Sequence, residues 1–258
     1  MSNLPSIITP AFLSSIRSRP NLPIKTWYFI AATTLSQLNR PDEIQKVYLY
    51  ALSQRWSGNE AAEDVVPSFD EKRDISRRMR EALVKAAAVT GVPKTINALL
   101  ELKKVTPDDL LDEPQGPSPT GRTSDFYGTP VTQILKRGQD FFEGIYGKIT
   151  KRVMGQMDRS GTEDLGLIAR LVYGYILSNT NVLSAVETSY VMIAGLIPQD
   201  VNPQLKGHLR GALNGGATVD QVKAVRSIVM DICVASGMEM LDGDVPAGFG
   251  WRVEPADL

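Results

Sequence analysis

A chain of 258 residues with 43% hydrophobic and 22% charged residues has the composition of a globular protein with material for a sizeable core. Its 28 basic and 29 acidic residues leave a net charge of -1, too little to build the field that draws a protein onto nucleic acid or an anionic membrane. One cysteine, Cys233, and one histidine, His208, can form neither an internal disulfide nor a Cys-x-x-Cys redox pair nor a Cys/His metal centre, so no metal is expected.

In chain order, Arg17, Arg19, Lys25 and Arg40 all precede the first acidic residue, Asp42, which is how mitochondrial transit peptides are composed. Pro5, Pro10 and Pro20 interrupt that segment, however, and Phe12, Leu13 and Ile16 read instead as the apolar side of a short opening helix. No stretch reaches the roughly 18–20 apolar residues that span a bilayer, and the start lacks a secretory signal. An intracellular protein is expected, with the cytoplasm favoured and the mitochondrion the alternative; the final ADL does not match the peroxisomal Ser-Lys-Leu address.

Residues 26–38, TWYFIAATTLSQL, are apolar nearly all round and predict a buried helix. Residues 42–54 carry Ile44, Val47, Tyr48 and Leu52 as one stripe; 71–90 carry Ile75, Met79, Leu83 and Ala86, stopped by Gly91; 94–104 add a shorter helix. The segment 105–130 is dense in Pro, Gly, Ser and Asp and reads as a linker. Helices are predicted again over 131–157, 163–178, 184–197, 203–214 and 218–236, and with no run of alternating β-branched residues the fold class is all-α.

The two sides of the linker echo one another. WYFIAATTL around Ile30 has a counterpart in SYVMIAGLI around Ile193, and each leads through a proline-bearing turn into a helix that ends Ala-Leu. The following helices align as MREALVKAAAVTGVP and VRSIVMDICVASGME. We read residues 1–104 as a first, divergent helical repeat, 105–130 as the linker and 131–258 as a second repeat, the two packed as a pseudo-symmetric pair. The first carries an insertion, RWSGNEAAEDVVPSFDEKRD, read as an exposed loop.

In this alignment His208 falls opposite Val47, on a stripe with Leu205, Leu209 and Ala212. A titratable ring there loses solvation unless its nitrogens find partners. Spacing alone leaves three roles open: a core histidine bonded to a carbonyl, a subunit contact, or a working acid/base.

HLRGALNGGAT over 208–218, followed by VDQVKAVRSIVMDICVASG, resembles the carboxymuconolactone decarboxylase-like family, which shares the all-helical fold of the alkyl hydroperoxidase D proteins. AAAVTGVPKTINALLEL over 86–102 is similar to the closing helices of the same family. The resemblance is closest over 160–238, thinner over 20–104, and absent in the linker. It implies a homo-oligomer, no cofactor, and a cleft at the histidine. The peroxidase branch places a Cys-x-x-Cys pair ahead of that histidine; the corresponding positions are Val201 and Gln204, so dithiol peroxidase activity is not expected. Cys233, in an apolar helix, reads as a small core residue.

The decarboxylase branch implies lyase-type or isomerase chemistry on a small unsaturated carboxylic acid or lactone. There His208 is the expected proton donor, Glu187 its orienting or relaying carboxylate, and Tyr190, one turn on, a hydroxyl lining the same cleft. Arg210 has the chemistry to bind a substrate carboxylate but lies about 200° around the helix from His208. Gly211, Gly215 and Gly216 read as close helix packing and a C-cap rather than a phosphate loop. The alternative to an enzyme is a non-catalytic helical scaffold or small-molecule binder.

Overall fold

Ten consecutive side chains from Trp27 to Ser36 offer no polar face, and the helix they form has none to give to water. In the computed structural model, which describes residues 5–53, 67–112, 117–243 and 247–258, all ten are buried. In chain order the described α-helices are α1 (Pro10–Arg17), α2 (Trp27–Gln37), α3 (Pro41–Ser53), α4 (Phe69–Thr90), α5 (Val92–Val105), α6 (Arg122–Gly128), α7 (Val131–Tyr146), α8 (Thr150–Met157), α9 (Asp164–Leu171), α10 (Ala185–Leu196), α11 (Asn202–Asn214) and α12 (Val219–Ala235), and α1, α3, α4, α5, α10 and α12 pack on α2. The fold is all-α; the described strand is one parallel pair of two-residue segments, β1 (Glu239–Met240) and β2 (Gly250–Trp251). That pair is pinned by the buried Trp251, whose indole N–H donates to the Ile197 carbonyl at 2.8 Å.

The second central helix is α10, buried from Thr188 to Leu196, and it lies against α2. Packing around the two is reciprocal: α4 lies against α2 and α10, and α12 against α10 and α2. One hydrophobic core therefore runs through both sides of the chain. Three helices start on capping boxes, Ser68 with Glu71, Ser184 with Glu187, and Thr218 with Gln221, each closing two backbone donors that would otherwise go unpaired. Leu13 and Ile16 of α1 are buried, as the apolar side of an opening helix requires. No described helix is long and apolar enough to cross a membrane. Residues 54–66, which hold most of the predicted insertion, lie outside the described residues; its end, from Phe69, already belongs to α4.

Three segments differ from their sequence-based expectation. The stretch 131–157 is not one helix: Gly147 takes φ of 52°, a left-handed value that breaks the path, and a 3-10 turn over Gly147–Ile149 separates α7 from α8. The stretch 163–178 is α-helical only to Leu171 and continues as a π-helical segment over Val172–Leu177. The predicted linker contains α6, held to the core by Arg122.

α7 and the π segment touch backbone to backbone. A Cβ added to Gly138 would stand 2.5 Å from the Gly174 nitrogen and 2.7 Å from its Cα, with no flexible side chain to move aside. Gly138→Ala should therefore destabilise by about 1–3 kcal/mol, the range for overpacking, read as a lower urea midpoint at unchanged slope.

Candidate functional site

α11 buries Leu205, His208, Leu209 and Ala212, at spacings of three and four, so the helix itself turns the imidazole inward. Its glycines permit close approach: a Cβ on Gly207 would meet the Tyr146 ring at 2.7 Å, and one on Gly211 the Ile145 side chain at 2.8 Å. Gly216 carries the positive φ, 101°, that closes the helix end. α7 can then lie on α11, with the Tyr146 ring edge-on to His208 at 6.2 Å between centroids.

His208 opens onto a cavity of about 550 Å³ enclosed by α4, α7, α8, α9, the π segment, α10 and α11. Phe142 forms part of its wall, tilted by 35° against Tyr146 at 4.4 Å and edge-on to Tyr173 at 4.7 Å. Burial lowers the His208 pKa from 6.5 to about 4, so the ring is neutral at pH 7. Its Nδ1 is sealed from solvent without a hydrogen-bond partner. Burial raises the Tyr146 and Tyr173 phenols above their ordinary range; both hydroxyls stay protonated and are hydrogen-bonded to each other, which leaves one of the two protons free to donate. A neutral imidazole and two phenols on an apolar surface can hold a polar atom of a ligand and move a proton.

The π segment that carries Tyr173 is fixed from its far end. Lys85, wholly buried, donates to the Leu177 and Asn179 carbonyls at 2.7 Å each. Arg122 donates to the Tyr175 and Ile176 carbonyls at 3.1 and 3.0 Å and forks onto both oxygens of buried Glu81 at 2.6 Å. Arg137 reaches the Gly174 carbonyl at 3.0 Å and Asp125 at 2.7 Å. Three basic side chains thus gather on the carbonyls at one helix end, where the backbone dipole favours positive charge. Burial pulls the Lys85 pKa down to about 7 against the pull of Glu81.

Glu187 and Tyr190 are not in this cavity. Glu187 is the third residue of α10: its Oε2 accepts from the Ser184 amide at 2.9 Å, and its Oε1 accepts from Arg78. Arg78 also donates to the Tyr28 hydroxyl at 2.9 Å and the Lys25 carbonyl at 3.1 Å, and lies 5.4 Å over the Phe29 ring. Glu187 and Tyr190 share a separate, shallow cleft of about 280 Å³ with Ser184 and the Gly215–Ala217 turn. The Tyr190 pKa is pushed up to about 12, by burial first and the Glu187 charge second. The structure thus brings Glu187 and Tyr190 together and leaves His208 apart from them. Arg210 is exposed and lines neither cavity.

Of the two positions corresponding to redox cysteines, Gln204 lines the His208 cavity one turn before the ring, and Val201 is half-buried. Cys233 is fully buried and burial raises its thiol pKa far above the usual range. It should stay unmodified by a disulfide thiol reagent in the folded protein and react stoichiometrically in denaturant. Tyr146, Tyr173 and Arg78 escaped sequence reasoning: no local spacing relates any of them to its partner.

The chain is 38% identical over 218 residues to Peroxisomal protein 2 of Schizosaccharomyces pombe, an alignment that covers 84% of this chain and 90% of that protein. It belongs to the Peroxisomal protein 2 family. The Saccharomyces cerevisiae member is 32% identical over 259 residues, with 85% of this chain and 91% of that protein covered. No family model matches the chain, and no solved structure matches it. Coverage at this level means that the similarity extends over most of each chain rather than an isolated module.

Proposed function

We propose that this chain is a peroxisomal protein of the carboxymuconolactone decarboxylase-like type that carries out cofactor-free proton transfer on a small organic molecule in the His208 cavity. The single observation that carries the reading is a buried, neutral imidazole set beside two protonated phenols in the wall of a cavity of ligand size. The printed names of both relatives support the peroxisomal setting. The position of Gln204 beside His208 supports the resemblance, since the branch with redox cysteines would place one of them there. The reciprocal packing of α4 and α12 on the two central helices supports an internal duplication.

The chemistry fits isomerisation. A neutral imidazole takes a proton from a carbon next to a carbonyl; the C–H electron pair becomes an enolate, whose oxygen accepts a hydrogen bond from a tyrosine hydroxyl; the imidazolium then returns the proton to a more distant carbon. His208 therefore enters as acceptor first and donor second. One observation favours a second reading, a binder without turnover: Glu187, the carboxylate expected to assist, is committed to its capping box and to Arg78.

Deuterium wash-in separates the two. Incubated in D2O with β,γ-unsaturated ketones and lactones, the protein should catalyse exchange at the carbon next to the carbonyl, and His208→Gln should abolish it. Binding without exchange favours the carrier. For the setting, the full chain with an N-terminal fluorescent tag should coincide with a peroxisomal marker in fungal cells; a diffuse or mitochondrial signal would overturn that part.

A further inference from the structure

We infer that the molecule received beside His208 is uncharged and largely apolar, an ester, lactone or ketone rather than a free carboxylate, an inference that rests on the His208 cavity being the working site. Among the described residues, no Lys, Arg, Asp or Glu lines this cavity. Its polar groups are His208, Tyr146, Tyr173, Gln156 and Gln204, none of which carries a charge at neutral pH. A carboxylate entering it would give up hydration and meet no cation, the circumstance in which a buried charge is most unfavourable. Arg210 does not supply one, since it is exposed on the other side of α11. The mouth is apolar as well: Leu165 and Ile168 line the cavity and are 48% and 58% exposed.

The neighbouring cleft makes the contrast within one molecule. On the other side of Phe142 and Tyr173, a cavity of about 610 Å³ between α7, α8 and α9 is lined by Lys136, Lys151 and Arg170, with Glu143 and Asp158. The same two aromatic rings wall both spaces, so the fold sets a charged cleft and an uncharged one side by side. His208 faces the uncharged one.

Because the chain holds one histidine, its imidazole resonances report this cavity without assignment ambiguity. The wild-type protein is titrated at pH 7.5 with benzoic, phenylacetic and 4-phenylbutyric acids and with their methyl esters. At least one ester should shift the His208 signals saturably, and its acid should bind about tenfold more weakly or worse. Ile168→Lys, at the exposed rim, should bring the acid up toward the ester. An acid that matches or exceeds its ester at His208 overturns the inference and leaves the cavity as the working site. An Ile168→Lys variant that leaves acids as weak as before contradicts the electrostatic origin of their exclusion. If no ester and no acid moves the signals, both the inference and the reading beneath it fall.

Discussion

Arg122→Met should lower stability by about 3–5 kcal/mol, the range for removing one partner of a buried ion pair. Glu81 is 2% exposed, and its two oxygens are held by the Arg122 fork at 2.6 Å; without it, Lys85 at 3.8 Å is the remaining cation. That lysine is itself disfavoured as a cation, its pKa drawn down to about 7, so it compensates only in part. The same substitution frees the Tyr175 carbonyl and leaves the Ile176 carbonyl only Lys85 at 3.5 Å, which loosens the end of the π segment that carries Tyr173 into the cavity. Urea unfolding measures the loss. Glu81→Met combined with Arg122→Met should cost less than the sum of the single changes, because it buries no unpaired charge. A loss under about 1 kcal/mol for Arg122→Met would mean that the network is solvated and does not hold the segment.

The second large effect is acid lability that belongs to His208. Its pKa falls from 6.5 in the unfolded chain to about 4 in the fold, so between those values the unfolded state binds the extra proton. The contribution is fully present above pH 6.5 and is lost as pH falls through 6.5 towards 4, on the order of 3 kcal/mol in all. Carboxylates titrate in the same window, so the readout is the difference between the wild type and His208→Gln, whose stability should fall less over that range. The groups facing the ring add no competing titration there: Tyr146 and Tyr173 remain protonated, and no described charged side chain lines the cavity. Parallel pH profiles for the two proteins would contradict the burial of a neutral ring.

Much of this architecture was legible because it is local. The uniform apolarity of Trp27–Ser36 and the Ser184-to-Glu187 spacing act within one or two turns, and the inward stripe of Leu205, His208 and Leu209 is a matter of helical period. What stayed hidden depends on partners far along the chain. Glu187 looks like an available carboxylate until Arg78, 109 residues away, closes on it. Tyr173 shows no useful spacing, since a π segment rotates side chains off the 3.6-residue period, and the carbonyls at that segment's end are bonded by Lys85 and Arg122 from other helices. The break at Gly147 could have been suspected from the glycine, but Gly138 and Gly144 in the same stretch do not break the helix. Only the left-handed φ at Gly147 distinguishes it.

The central claim is that the His208 cavity, and not the Glu187–Tyr190 cleft, is where a small molecule is received. A crystal structure of the protein soaked with the tightest-binding methyl ester tests it most directly. The account predicts density enclosed by α7, the π segment and α11, with a ligand oxygen within hydrogen-bond distance of His208 or of a Tyr146 or Tyr173 hydroxyl. Ligand seated against Glu187 and Tyr190, with the His208 cavity empty and its Nδ1 bonded to a protein carbonyl, would contradict it.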